Sequence, residues 1–168
     1  MGEPKLTKSF REEAELIDSA GQFARALQSS GARALVIGLA GELGSGKTTW
    51  ARAMLRGLGY RGRVPSPTYT LLEQYELGDL TLVHLDLYRL AGDAEVENLG
   101  LRDLLASPNT WVVLEWPERA PALATRCDLI LEFADMGDDT RQVTLRGTTR
   151  VGIEALEHSR QAGFNNDR

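Results

Sequence analysis

Apolar residues Leu16, Ile17, Ala20, Phe23, Ala24 and Leu27 recur at the spacing that lines one face of an α-helix, so the pattern predicts an amphipathic helix over residues 12–29, stopped by Gly31. Ala34-Leu-Val-Ile-Gly-Leu-Ala40 is an unbroken apolar run, as expected of a strand covered on both faces of a sheet. A Gly-rich turn follows, and then a second helix from about Lys47 to Leu58. Tyr69 to Leu77 and Leu80 to Leu87 are β-rich runs joined at Gly78-Asp79, the signal for an antiparallel hairpin. A helical stretch is predicted from about Glu95 to Leu105, and a buried strand from Thr110 to Glu115 that ends before Pro117. Cys127 to Phe133 and Arg141 to Arg146 read as strands around a turn at Met136 to Asp139. Val151 to Arg160 reads as a last helix, with a polar end that frays after Gln161. Met1 to Arg11 is polar and mixed in charge, with no apolar core followed by small residues as a secretory signal would have.

Alternating βα units and hairpins imply a three-layer α/β domain whose mainly parallel sheet carries antiparallel hairpin additions. No repeat or linker divides the chain, so residues 1–168 are expected to form a single domain. At 42% apolar and 26% charged residues, the composition excludes a disordered acidic tail, a collagen-like repeat and a membrane bundle. The longest apolar run is far below the roughly 20 residues of a membrane-spanning helix, and no secretory signal is visible. Together with the lone Cys127, which has no disulfide partner, this points to a cytoplasmic protein without a membrane role. A net charge of −5 gives no global pull toward nucleic acid.

Gly41-Glu-Leu-Gly-Ser-Gly-Lys-Thr48 fits the phosphate-loop pattern G-x-x-x-x-G-K-[ST] in full, between a predicted buried strand and a predicted helix. This makes the fold a P-loop NTPase-type domain. Gly41, Gly44 and Gly46 permit backbone conformations closed to residues with a Cβ and let amides crowd around phosphate oxygens. The loop opens a helix whose N-terminal amides and dipole favour an anion. Lys47 is placed to reach the β- and γ-phosphates of a nucleotide, and Thr48 to ligate magnesium.

Such a loop needs a carboxylate for the metal and a group that positions the nucleophile. Asp86 and Glu115 each close a predicted strand, and ligands of open α/β sheets bind at the carboxyl ends of strands. The residues alone leave open which acid meets the metal and which handles water. Ser66-Pro-Thr-Tyr-Thr70 lies where nucleotide switches often sit, because a hydroxyl there can sense the γ-phosphate and magnesium; an ordinary Pro-rich turn is the other reading.

Four blocks, Gly41-Glu-Leu-Gly-Ser-Gly-Lys-Thr-Thr49, Ser66-Pro-Thr-Tyr-Thr-Leu71, His84-Leu-Asp-Leu-Tyr-Arg-Leu90 and Glu115-Trp-Pro117, closely resemble the bacterial TsaE (YjeE) family, in the family's order. The resemblance covers about residues 7–146 and leaves 147–168 as a C-terminal extension without a counterpart. It implies an ATPase needed to make threonylcarbamoyladenosine at position 37 of tRNAs reading codons that begin with A. It further implies ATP and magnesium as cofactors, the proteins TsaD and TsaB as partners, and only indirect or weak contact with tRNA. By resemblance, Leu43, Gly44, Ser45, Gly46, Lys47, Thr48 and Thr49 would wrap the phosphates. Thr48 and Glu115 would hold the metal, Asp86 would serve hydrolysis, and Thr68 would sit in the switch-like segment. Trp116 would lie beside the nucleotide, and the base pocket would borrow from the start of the first helix and the turn at Asp139 and Thr140. Relatives usually have Asp in place of Glu42 and Ala in place of Ser45, neither of which removes a group the phosphates need. A slow free ATPase is expected, because a partner can complete the site or order its switch.

Other residues read more simply. His84 shares a strand face with Asp86 and is expected to be a hydrogen-bonding neighbour, since one His and one Asp make a poor zinc site. Cys127 reads as packing, and His158 as exposed. Arg52, Arg56, Arg61 and Arg63 suggest an RNA or acidic-partner surface or a solvated flank; Tyr60 is the only interleaved aromatic, which favours the flank. Arg89, near Asp86, is suited to a phosphate, the switch or a structural carboxylate. Three rival functions use the same loop: a small-molecule kinase, a GTPase and a nucleotide-dependent structural switch without essential hydrolysis. The kinase lacks an Arg-rich insertion between the last strands. For the GTPase, Asp18 to Gly21 precedes the loop, and Thr125-Arg-Cys-Asp128 carries Arg where the guanine motif has Lys.

Overall fold

The computed structural model describes residues 2–67 and 70–167. Its strands are β1 (Lys5–Phe10), β2 (Ala34–Gly41), β3 (Leu72–Leu77), β4 (Leu80–Asp86), β5 (Thr110–Glu115), β6 (Leu129–Asp135) and β7 (Arg141–Gly147). The helices are α1 (Glu13–Ser29), α2 (Lys47–Gly57), α3 (Asp93–Glu97), α4 (Leu101–Ala106), α5 (Pro121–Ala124) and α6 (Arg150–Gln161), with a 3-10 turn at Pro117–Arg119. The strands form one sheet in the order β1-β7-β6-β2-β5-β4-β3. β6, β2, β5 and β4 are mutually parallel, while β3 on one edge and β7 and β1 on the other run antiparallel to their neighbours.

Alternation along the central strands feeds two cores. Leu35, Ile37 and Leu39 of β2 and Trp111 and Val113 of β5 join Phe23, Trp50 and Met54 from α1 and α2 in the larger core. Val112 and Leu114 turn to the other face, where Val96, Leu101 and Leu123 of α3, α4 and α5 cover them. Helices on both faces of a mostly parallel sheet are the predicted three layers. On the larger face α1 crosses α2 closely: a Cβ on Gly57 would stand 2.6 Å from the Cα of Gly21, so position 57 tolerates no side chain without moving a helix.

Several expectations need correction. The N-terminal segment forms an edge strand: Leu6 and Phe10 are buried, and residues Lys5 to Phe10 pair with β7. Intervening Lys and Thr residues hid the pattern, although Lys8 lays its ammonium 4.6 Å from the Phe164 ring centroid. The stretch 95–105 is two short helices, because Gly100 takes a left-handed φ of 70° between them. Ile17, though in phase with the apolar stripe, stays 40% exposed. The end after Gln161 does not fray: Phe164 is fully buried, and the Asp167 amide donates to the Thr7 carbonyl. His158 is half-buried and within 3.1 Å of the Ser29 hydroxyl. The predicted start of the hairpin at Tyr69 lies outside the described residues, and β3 begins at Leu72.

Candidate nucleotide-binding site

The loop from Gly41 to Gly46 leaves the end of β2 and enters α2 through backbone that glycine favours, with φ of 154° at Gly41, 75° at Gly44 and 110° at Gly46. A Cβ on Gly41 would come within 2.7 Å of the Phe133 carbonyl oxygen, so the loop packs too tightly on β6 for any other residue. Lys47, the first residue of α2, is buried and folds back over the loop. Its ammonium donates to the carbonyls of Gly41 at 2.6 Å and Glu42 at 2.8 Å and lies 4.1 Å from the centroid of Trp116. Burial pulls this ammonium below the ordinary lysine range, and the carboxylates of Glu115, Glu118, Asp86 and Glu42 partly oppose that.

The two acids come from adjacent strand tips. Asp86 of β4 and Glu115 of β5 are register partners, and both are buried. Backbone bonds hold these tips: the amide of Leu87 donates to the carbonyl of Glu115, Trp116 to that of Leu39, and Asp86 to that of Leu71. Leu71 and Trp116 both have left-handed φ (66° and 62°), a costly state for large side chains. At Trp116 it accompanies a ring stacked on Lys47 and, at 5.0 Å, on Tyr88, over which Arg119 lies in turn.

Glu115 spends both oxygens. Oε1 accepts from the Thr48 hydroxyl at 2.7 Å, and Oε2 is 2.7 Å from His84 Nε2. His84 is thus a hydrogen-bonding neighbour, but its partner is Glu115 and not Asp86, the acid two residues along its own strand. Asp86 Oδ1 accepts from the Tyr88 amide at 2.9 Å.

These groups open onto a cleft of about 360 Å³ lined by Leu43 to Thr49, Asp86, Glu115, Trp116, Glu13, Tyr88, Arg89 and Arg141. A second cavity of about 220 Å³ adjoins it, sharing Glu13 and Arg141 and adding Phe10, Arg11, Glu12, Leu16, Asp135 and Asp139. The start of α1 is pinned there by Glu15, whose carboxylate accepts from the Arg11 and Glu12 amides. Every expected phosphate, acid and aromatic position among the described residues therefore lines one cleft. Thr140 does not: its neighbours Asp139 and Arg141 line the cavities, while its hydroxyl turns back 3.4 Å from the Asp138 carbonyl. Thr68 lies outside the described residues. Glu13, Tyr88 and Arg141 went unremarked in the sequence, although Arg141 directly follows Thr140 and Tyr88 sits within the His84–Leu90 block.

The donor set suits a hard divalent cation. Among the described residues no group of three His, Cys, Asp or Glu side chains could hold a metal ion. Thr48 and Glu115 supply one hydroxyl and one carboxylate, the sparse set magnesium takes when a phosphate and waters complete its shell. A polyphosphate beside two buried carboxylates also calls for a cation between them. The residues that imitated GTPase motifs are committed to the fold. Asp128 accepts from the Val36 amide at 2.8 Å and, at 2.6 Å, from the hydroxyl of Thr149, the residue that caps α6, and Gly21 lies at the α1–α2 crossing. Arg56 donates to the Tyr60 carbonyl at 2.9 Å, closing the end of α2. Cys127 is buried, and burial pushes its thiol up to about 12, as packing requires.

Residues 10–143 match the family described as "Threonylcarbamoyl adenosine biosynthesis protein TsaE". The chain is 39% identical over 120 residues to the tRNA threonylcarbamoyladenosine biosynthesis protein TsaE of Haemophilus influenzae, covering 71% of this chain and 75% of that protein. With the protein of the same name from Bacillus subtilis it shares 36% over 132 residues, 78% of this chain and 82% of the relative. The chain belongs to the TsaE family. A solved structure, that of YdiB from Bacillus subtilis, superposes with a TM-score of 0.73 at 26% identity over 96% of this chain and 98% of the other. At most 4% of this chain lies outside that superposition, whereas the 21 residues after Gly147 are one-eighth of the 168, so the match reaches into the extension for which no counterpart was expected. TsaE family membership ties the chain to threonylcarbamoyladenosine synthesis. Among the described residues no helix is long and apolar enough to cross a membrane.

The charge on Lys47 gives a pH test. Phosphate favours the ammonium, so the pKa in a nucleotide complex lies above the already lowered value of the free protein. Affinity for an ATP analogue is expected to be full below the free-state pKa and to fall as pH rises through it, sooner than for an ordinary lysine. Fluorescence titration would check this; affinity unchanged from about pH 7 to about pH 10.5, the ordinary lysine value, would sink it.

Proposed function

We propose that this TsaE family member binds ATP with magnesium in the cleft and hydrolyses the β–γ phosphoanhydride, in the service of a threonylcarbamoyl transfer performed by TsaD with TsaB. The observation that carries the reading is the 2.7 Å bond between the Thr48 hydroxyl and Glu115 Oε1, directly beside the phosphate loop and next to Asp86. Thr48 and Glu115 would hold the metal, whose contribution when bound is to neutralise charge on the β- and γ-oxygens. The loop amides and Lys47 bind and orient the phosphates, and Arg89 and Arg141 add positive charge at the rim. Asp86, its carboxylate steadied by the Tyr88 amide, orients the attacking water and draws on its proton while ADP departs. The adjoining cavity at the start of α1 is suited to the base.

The same geometry supports the reading of a slow free enzyme. Lys47 is satisfied by the loop's own carbonyls and Thr48 by Glu115, so phosphate and metal must replace existing bonds. Partner proteins TsaD and TsaB would favour the exchanged state.

Phosphate release from ATP with no added acceptor tests this against the kinase reading, and competition by GTP tests it against the GTPase. Asp86→Asn is expected to keep nucleotide affinity within a few-fold and to cut turnover about 100-fold or more. Undiminished turnover in this variant, or no phosphate release by the wild type even with TsaB and TsaD, would overturn the proposal. If threonylcarbamoyladenosine synthesis survives Asp86→Asn but not loss of nucleotide binding, the switch reading holds.

A further inference from the structure

We infer that His84 is a positioning residue: it fixes the Glu115 carboxylate so that Oε1 alone faces the cleft, and thereby sets the affinity of the site for a divalent cation. The inference rests on the reading of the cleft as a magnesium–nucleotide site and goes beyond it, since it concerns a residue that does not line the cleft and touches neither metal nor phosphate. His84 sits in the middle of β4 and is fully buried, yet makes a single side-chain bond, from Nε2 to Glu115 Oε2 at 2.7 Å. Its Nδ1, equally buried, has no hydrogen-bond partner among the described residues. Leaving a polar atom unsatisfied in a core is costly, so an imidazole that served only to fill space would be a poor choice beside leucine.

The bond explains its presence. Asp86 and Glu115 are register partners on neighbouring strands, and their like charges repel across the sheet. Glu115, with three rotatable side-chain bonds, has freedom to swing away or to present both oxygens. Residues 82, 84 and 86 share one face of β4, so His84 stands on the same face as both acids. Its Nε2–H draws Oε2 back into the protein and leaves Oε1 for the Thr48 hydroxyl, the group it would exchange for a metal. Hydrogen bonds from behind a ligand fix its orientation, and losing one weakens metal affinity by about 10–100-fold.

Three variants separate this from a purely structural role. His84→Gln keeps an N–H near the position of Nε2, His84→Asn is too short to reach Glu115, and His84→Leu removes the polar group. The readout is a titration of a fluorescent ATP analogue at rising magnesium, with a parallel titration in EDTA and a thermal unfolding curve for each protein. His84→Asn and His84→Leu are expected to raise the magnesium concentration at half-effect by about 10-fold or more, to leave metal-free affinity within about twofold, and His84→Gln to restore most of the loss. Should His84→Leu fail to fold, the contrast between Asn and Gln still decides. A magnesium midpoint within twofold of wild type in folded His84→Asn, or an equal loss of affinity in EDTA, overturns the role of His84 alone. A wild type without any magnesium-dependent step overturns the site reading as well, and is recognised before any variant is made.

Discussion

Lys47→Ala is expected to abolish detectable nucleotide binding while the protein stays folded. A terminal phosphate held by this ammonium gains charge-assisted hydrogen bonds of about 1.5–3 kcal/mol each, so removing two of them weakens binding by about 100-fold or more. The fold should hardly notice. In the free protein the ammonium is buried and its desolvation opposes its charge, and its partners, the carbonyls of Gly41 and Glu42 and the more distant Ser45 hydroxyl, lie beside an open cleft where water can replace it. Unfolding free energy is therefore expected to change by no more than about 1 kcal/mol. Thr48→Ala should differ in kind, losing the magnesium dependence of binding before the binding itself, because Thr48 faces Glu115 and not the loop carbonyls. Titration with a fluorescent ATP analogue, with and without magnesium, distinguishes the two; unchanged affinity in Lys47→Ala would remove the phosphate loop from the account.

What could be read in the chain was what is local. The phosphate loop is a contiguous motif, and its flanking strand and helix follow from apolar runs. Asp86 and Glu115 were legible because a strand's carboxyl end is marked by where its apolar run stops. What depends on register was not. The His84–Glu115 bond needs β4 beside β5 with Asp86 opposite Glu115, and nothing in the connecting residues, two short helices and their loops, specifies that offset. His84 therefore looked like a companion of Asp86, its neighbour along the chain. Thr140 shows the limit at the scale of one residue: the turn was located, but its left-handed Asp138 and Asp139 rotate the threonine away and present Asp139 and Arg141 to the cavity. β1 was hidden because an edge strand needs few apolar positions, and Leu6 and Phe10, four apart, do not alternate visibly.

The C-terminal tail carries the second large expected effect. Phe164 is one aromatic in a polar stretch, so composition gave it no weight, yet Phe164→Ala is expected to cost about 3–4 kcal/mol and lower the melting temperature by roughly 10 °C. The ring is fully buried, 5.6 Å from Phe23 and 6.4 Å edge-on to Trp50 by centroid, with Lys8 over its face. Gly163, at φ 103°, turns the chain out of α6 and drives the ring into that pocket, and the segment beyond is tied to β1 through Thr7, which donates to Asn166 and accepts from Asp167. Truncation after Gln161 should cost at least as much, since it removes the ring and those ties together. Trp50 lies one turn beyond Lys47 in α2, so the tail buttresses, from the side away from the cleft, the helix whose N-terminus opens the proposed phosphate site. Well below the melting temperature the nucleotide affinity of Phe164→Ala is accordingly expected to fall only a few-fold, because the amides of the loop are set by its own glycines and by β2. Thermal unfolding of the two variants checks the first part and analogue titration the second. A melting temperature within about 2 °C of wild type would mean the tail contributes less than about 1 kcal/mol and merely rests on the core.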